Sequence, residues 1–282
     1  MMGTLALALA LACSIMPSAA QPSYYDSGRS ACVPGSKGEH LPFCNTSVPV
    51  DDRVRDLISR IKAVDKPNLL TARGHLKNRG RTALPELGVP SYYWGANCIH
   101  SSMFSNCTTT GGCSTSFPSG PSWAATFDRD MMRSMASVVG REQRAGFTLG
   151  NFTDNGRNGM GLECWGPVLN MNRDPRWGRN AEGGTECPFL MGELGVAWTH
   201  GLQVGEGDDP KFLQVAVTLK HFDANSVEGG ATGTEGDHGL GRHTVDPNIS
   251  KYLLSDYYWP AFKAAIRRAD AKGVMCSCKS SL

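Results

Sequence analysis

The sequence predicts an α/β fold built on a parallel sheet, a (β/α) barrel of the TIM type that is incomplete at its C-terminus. Three observations carry this expectation. Apolar, β-branched runs alternate with helical stretches along most of the 282 residues, the order that a parallel sheet with crossover helices imposes. The run Val215-Ala216-Val217-Thr218-Leu219 has no apolar-polar alternation, as expected of a strand covered on both faces. No Gly-x-Gly-x-x-Gly opens a helix after the first strand, which counts against a dinucleotide fold, and the length favours a barrel over a doubly wound sheet.

Residues 5–15 form an apolar run followed by Pro17 and the small residues Ser18-Ala19-Ala20. The run is too short to span a bilayer and lies where the apolar core of a secretory signal belongs. Residues 1–20 are therefore read as a signal peptide and the protein as secreted. Residues 21–49, rich in Pro, Ser and Gly, read as an extended lead-in, and 50–282 as the barrel domain. Val54, Leu57, Ile58 and Ile61 at helical spacing predict an amphipathic helix over 51–62. Apolar runs follow at 69–71, at 91–94 and around Phe117. A helix over 128–144 has acidic residues in its first turn and Met131, Met132, Met135, Val138 and Val139 on its inner face. A strand over 167–171, a helix over 188–204 and a strand over 213–219 come next. A helix over 250–268 is expected to kink or restart at Pro260, and 273–276 begins one more strand.

Composition excludes some partners. The 28 Lys and Arg against 26 Asp and Glu give a net charge of +2, so no field of one sign favours nucleic acid or an anionic membrane. Of the 10 cysteines, Cys13 leaves with the signal, and local bridges such as Cys32 to Cys44 or Cys107 to Cys113 suit an oxidising compartment. No cysteine pair has the spacing of a closed zinc site, so no metal is expected. Asn-x-Ser/Thr acceptors at Asn45, Asn106, Asn151 and Asn248 suit a glycosylated extracellular protein.

Two segments concentrate the chemistry: Arg173-Asp174-Pro175-Arg176-Trp177-Gly178-Arg179, and Lys220-His221-Phe222 closing an apolar run. Each follows a predicted strand, where an α/β barrel keeps its ligand site. The guanidinium of Arg179 can hold vicinal hydroxyls or brace a carboxylate; the plainer reading pairs it with Asp174 or Glu182 to tie down a loop. Trp177 can stack on the apolar face of a ring or serve as a core anchor. Lys220 and His221 are adjacent, and adjacent strand residues point to opposite faces. Both reach one ligand only if the pleat is irregular there, so irregular backbone is expected over 220–222; the alternative is a satisfied buried His beside a Lys that snorkels to solvent. His100 follows the aromatic-rich stretch 92–99 and says little by itself.

Several motifs in order make the chain resemble the N-terminal barrel domain of glycoside hydrolase family 3, in particular its β-xylosidase and arabinofuranosidase branch. The match runs through Gly88-Val89-Pro90 with Trp94 and His100, Phe117-Pro118, Ala124-Ala125-Thr126-Phe127, Arg173 to Arg179 with Glu182, Glu186 and Pro188, Lys220-His221-Phe222, and Gly273-Val274-Met275-Cys276-Ser277. The resemblance implies a retaining β-glycosidase acting on β-xylosides, arabinosides or glucosides from plant cell wall, without cofactor or metal. It implies that Arg179, Lys220 and His221 bind sugar hydroxyls. Asn97 stands where the family usually carries Asp or Glu, a departure that weakens charge-assisted hydroxyl binding, and Cys187 likewise stands in place of a usual Asp. The family's nucleophile follows the segment matching Met275 to Ser277, and its acid/base usually lies in a later domain. No catalytic carboxylate is therefore expected within the chain; both belong beyond Leu282. Ser255-Asp256 copies the nucleophile's dipeptide but sits in a helical stretch. Asp237-His238 resembles the acid/base dyad of the bacterial β-N-acetylglucosaminidase branch, on a loop that otherwise does not. The alternative to an enzyme is a non-catalytic secreted sugar-binding remnant, or a fragment lacking the nucleophile.

Overall fold

The structure is a computed structural model, and it describes residues 31–32, 34–70, 84–89, 95–102, 114–148, 161–205, 212–228, 241–242 and 244–277. The expectations for the signal segment, the aromatic run 91–94, Asn106, Asn151, the Cys107 to Cys113 bridge and Asp237-His238 lie outside these residues. Helix α1 (Val50–Arg60) forms where the periodicity places it. None of its residues is buried, and Val54 and Ile58 remain about half exposed. Residue 69 ends a short helix, α2 (Lys66–Leu69), instead of opening a strand.

Four strands, β1 (Gly95–Ala96), β2 (Glu163–Val168), β3 (Ala216–Phe222) and β4 (Gly273–Cys276), form one parallel sheet in the order of the chain. Helices α3 (Gly120–Ala124) and α4 (Arg129–Thr148) connect β1 to β2, and α5 (Pro188–Val204) connects β2 to β3. Parallel neighbours need such crossovers, so the fold is α/β with a parallel sheet.

Two strands begin away from their predicted positions. Strand β2 starts at Glu163, and Pro167 lies inside it, where the register to β3 shifts between Trp165 and Val168. A missing N–H costs little at such a break in the ladder, so Pro167 does not start the strand. Strand β3 begins at Ala216 and runs through Lys220-His221-Phe222, which therefore belong to the strand itself. Between β3 and β4 the predicted single helix is split into α6 (Lys251–Leu253), a π-helical segment Leu254–Tyr258 and α7 (Pro260–Ala269). Ser250 Oγ accepts the Leu253 N–H at 3.2 Å to cap the first piece, and Pro260 restarts the last at a position where its missing donor is harmless.

The core sits between the sheet and its helices. Helix α5 is apolar nearly all round, as a helix buried between neighbours must be, and it lies between α4 and α7. A Cβ on Gly201 would collide with the Arg133 carbonyl, and one on Gly140 with the Leu202 carbonyl, so glycine lets α4 and α5 approach closely. Trp198 stacks on Trp123 at 5.4 Å between centroids and donates to the Cys98 carbonyl at 3.2 Å. Buried Gln203 bridges the layers, donating to the Ala269 carbonyl at 3.1 Å and accepting the Val217 N–H at 3.2 Å. Glu193, 8% exposed, accepts from Arg129 at 2.7 Å and from both Nη1 and Nη2 of Arg268, tying α5 to α4 and α7.

The anticipated Cys32–Cys44 disulfide is present. A second one, Cys98–Cys164, is fully buried and joins β2 to the segment that follows β1; the sequence reading left those two cysteines unpaired. Asn45 and Asn248 are exposed. Among the described residues no helix is long and apolar enough to cross a membrane.

Candidate sugar-binding site

Three consecutive strands deliver the predicted side chains to one mouth. Asn97 follows β1, Arg179 lies in the loop after β2, and Lys220 and His221 end β3. Parallel strands all point one way, so their carboxyl ends converge.

The irregular backbone expected over 220–222 is there. The register between β3 and β4 shifts between Lys220 and Phe222, and the Lys220–His221 and Phe222–Asp223 peptide bonds are cis. Asn170, 3% exposed at the end of β2, braces this step. Its Oδ1 accepts the His221 N–H at 2.9 Å and its Nδ2 donates to the His221 carbonyl at 2.9 Å. One side-chain amide thus serves both backbone groups that a regular ladder would pair.

The two side chains then face the same cluster. His221 Nε2 lies 3.1 Å from Arg179 Nη1. A guanidinium can only donate, so Nε2 accepts; Nδ1 lies 3.3 Å from Asn225 Nδ2. Lys220, with a side chain 2% exposed, donates to Asn97 Oδ1 at 2.5 Å and has Glu182 Oε2 at 4.0 Å. Arg179 grips the same Glu182 in a fork, Nε to Oε1 at 2.7 Å and Nη2 to Oε2 at 2.6 Å, so the plainer pairing with Glu182 is real and coexists with the shared mouth.

Sequence reasoning missed Glu228 and Arg242. Glu228 Oε1 stands 3.8 Å from Arg179 Nη1, and its Oε2 accepts from Arg242 Nη1 at 3.4 Å. No motif flags them, because both lie in the connection after β3. Trp177 is 4% exposed, packs with Ile99 and Val168, and donates to Glu228 Oε1 at 3.4 Å. The structure therefore places Trp177 as a loop anchor and a post for Glu228, with no open ring face for stacking.

Burial dominates the electrostatics. It opposes the charge on Arg179, but the hydrogen bonds and charge of Glu182, with that of Glu228, outweigh it and raise the pKa. Burial pulls Lys220 down to about 8; Glu182 works against this and Arg179 adds to it. Burial, then Arg179, Lys220 and Arg242, press His221 down to about 3, so its imidazole is neutral at ordinary pH.

Other features lie elsewhere. His100 is exposed, and Asp256 is exposed within the π-helical segment. An open cavity of about 560 Å³ between α4, α5 and α7 is lined by Arg129, Arg133, Glu193, His200 and Arg268, among others. It contains none of the mouth residues. Among the described residues no cluster of three or more His, Cys, Asp or Glu is placed to hold a metal ion.

Comparison with known proteins adds identity to this geometry. The family described as "Glycosyl hydrolase family 3 N terminal domain" matches residues 102–281. The chain is 32% identical over 241 residues to β-D-xylosidase 3 of Arabidopsis thaliana, covering 84% of this chain and 28% of that protein. It is 31% identical over 271 residues to a probable exo-1,4-β-xylosidase of Aspergillus clavatus, covering 94% of this chain and 32% of the other. It also superposes, with a TM-score of 0.71 and 25% identity, on a GH3 exo-β-xylosidase in complex with a xylobiose aziridine activity-based probe, covering 87% of this chain and 29% of that one. This chain thus spans less than a third of the length of these relatives. By this family match and these relatives, the chain belongs to glycosyl hydrolase family 3, through its N-terminal domain.

Proposed function

We propose that the chain forms the sugar-gripping part of a secreted retaining β-glycosidase of the β-xylosidase or β-glucosidase type, active in plant cell-wall polysaccharide breakdown. The observation that carries this is the convergence of Arg179 on His221 at 3.1 Å and of Lys220 on Asn97 at 2.5 Å, at the carboxyl end of adjacent parallel strands. The xylosidase relatives support a pentose or hexose glycoside as substrate. The sheet is read as part of a (β/α) barrel whose carboxyl edge is this mouth.

A retaining glycosidase uses one carboxylate as nucleophile and a second as acid and base, through an oxocarbenium-like transition state. We assign neither role to the described residues. Glu182 is forked onto Arg179, and Glu228 is held by Trp177 and Arg242, so both act as braces. The chain's own residues bind and orient the ring. Arg179 and Lys220 donate to hydroxyls as cations, and neutral His221 accepts a hydrogen bond from a hydroxyl at Nε2 in place of the one from Arg179. Hydrogen bonds that tighten as the ring flattens favour the transition state over the ground state, by about 1.5–3 kcal/mol for each charged donor.

The same engagement of Glu182 and Glu228 favours a second reading, a sugar-binding protein without catalysis. Saturable D-xylose binding by the purified chain, weakened at least tenfold by Lys220→Met, is expected under both; binding untouched by both Lys220→Met and Arg179→Met removes both. Hydrolysis of a nitrophenyl β-xyloside separates them: turnover selects the enzyme, and binding without turnover selects the second reading.

A further inference from the structure

The chain leaves the mouth through Asp223, two residues past His221, and this exit is held by side chains from two other elements. Ser277, just past β4, donates its N–H to the Phe222 carbonyl at 2.5 Å and its hydroxyl to the Asp223 carbonyl at 2.7 Å. Trp259, where α7 begins, donates its indole Nε1–H to Asp223 Oδ2 at 2.6 Å. Asp223 is 9% exposed, and a carboxylate is costly to bury unless it is hydrogen-bonded. Phe222 packs against the Trp259 ring at 6.4 Å and meets the Phe262 ring edge-on at 5.1 Å. That packing needs only a ring; the indole donor on a carboxylate is more than it requires.

The segment that ends at Trp259 also reaches the other half of the mouth. The Trp259 backbone N–H bonds to the Leu254 carbonyl at 2.9 Å, five residues back, which is the π-helical spacing. Three consecutive side chains around this turn each meet a different support. Tyr257 donates its hydroxyl to the Glu186 carbonyl at 2.7 Å, Tyr258 carries Arg173 over its ring at 5.1 Å, and Trp259 holds Asp223. Arg173 and Glu186 bracket the loop that carries Arg179 and Glu182, and Asp223 follows the strand that carries His221. One short segment is thus tied to both sides of the 3.1 Å Arg179–His221 contact.

We propose that Trp259 is a positioning residue of the sugar-binding mouth: through its bond to Asp223 it sets His221 against Arg179. This rests on the sugar-binding reading above and adds to it a residue that touches no sugar. Ring packing is non-directional, whereas a hydrogen bond fixes a direction, so the indole donor determines where the strand exit points. Asn170 holds the His221 backbone from β2, and Trp259 holds the chain two residues later from the helical layer.

Trp259→Phe keeps a ring beside Phe222 and removes the donor; Asp223→Leu keeps the size and removes the acceptor. Calorimetric titration with D-xylose and an NMR titration of the His221 ring read positioning apart from stability, when run well below the melting temperature of each variant. Trp259→Phe is expected to bind xylose about tenfold more weakly and to raise the His221 midpoint by about one pH unit from about 3, as the ring leaves its buried place beside Arg179. The double variant is expected to lose no more than the larger single loss, because both changes remove the same bond. A lowered melting temperature with an unchanged xylose affinity or an unchanged His221 midpoint is what a merely stabilising bond gives, and it overturns the proposal. Losses that add in the double variant overturn it as well. If the unmodified chain binds no xylose, the sugar-binding reading falls, and the His221 shift in Trp259→Phe alone decides whether Trp259 positions that ring.

Discussion

Asn170 holds both backbone groups of His221, each at 2.9 Å, and thereby fixes the one strand step at which two neighbouring side chains can enter the same site. Its amide takes over where the β2–β3 ladder ends, at the Val168–Lys220 pair. Asn170→Ala leaves two half-buried backbone groups without this partner and is expected to destabilise the chain by about 1 kcal/mol. It should also weaken sugar binding at least tenfold, because His221 and Lys220 lose their common orientation. Denaturant unfolding and a xylose titration read the two effects; an unchanged sugar affinity would show that the step is held without Asn170.

Lys220 contributes instability in exchange for binding. Its pKa is depressed to about 8 by burial, against about 10.4 in an unfolded chain. Between these values the unfolded state binds more protons, so stability rises with pH across that window; below pH 8 the full cost of about 3 kcal/mol is present. Lys220→Met is therefore expected to raise the melting temperature at pH 7 while weakening sugar binding at least tenfold, and the gain should shrink near pH 10. A lower melting temperature for the variant at pH 7 would contradict this account.

His221 works in the opposite pH range. With its folded pKa pressed to about 3, mainly by burial, and an unfolded value of about 6.5, the unfolded state binds more protons throughout that interval. Stability should fall as the solution is acidified from about pH 6.5 toward 3. His221→Gln, which cannot titrate, should flatten this slope in a series of melts between pH 4 and 7. Identical slopes for the two proteins would rule out His221 as the origin.

The buried Cys98–Cys164 disulfide spans a sequence separation of 66 residues and fastens β2 to the segment after β1 that carries Asn97. Closing so long a loop stabilises mainly by restricting the unfolded chain, by about 2–4 kcal/mol. Replacing both cysteines with alanine should lower the unfolding free energy by that amount and loosen the Lys220–Asn97 pair. Equal unfolding midpoints with and without the bridge would deny it this role.

Much of this molecule is legible in its sequence because local patterns and long-range packing agree. Pro188 at the first helical position marks the start of α5, and the β-branched run before Lys220 announces a covered strand. Pro167 misleads because a missing N–H marks a strand end only where the ladder is continuous, and here the ladder shifts. The apolar stripe of α1 reads as one face of an amphipathic helix, and periodicity tells only that one side is apolar and not what covers it. Arg179, Lys220 and His221 stand out because cationic or imidazole groups directly follow apolar runs. Asn170, Glu228 and Arg242 carry no such mark; they join the site through pairings across the fold that spacing does not encode. The Cys98–Cys164 bridge is of the same kind, since strand adjacency brings those cysteines together.

A crystal structure of the chain soaked with D-xylose would test the central claim most directly. The account predicts a ring bound at the carboxyl end of β2 and β3, its hydroxyls within hydrogen-bonding distance of Lys220 Nζ, His221 Nε2 and Arg179 Nη1. A sugar seated elsewhere, with these three groups still turned to their protein partners, would contradict it.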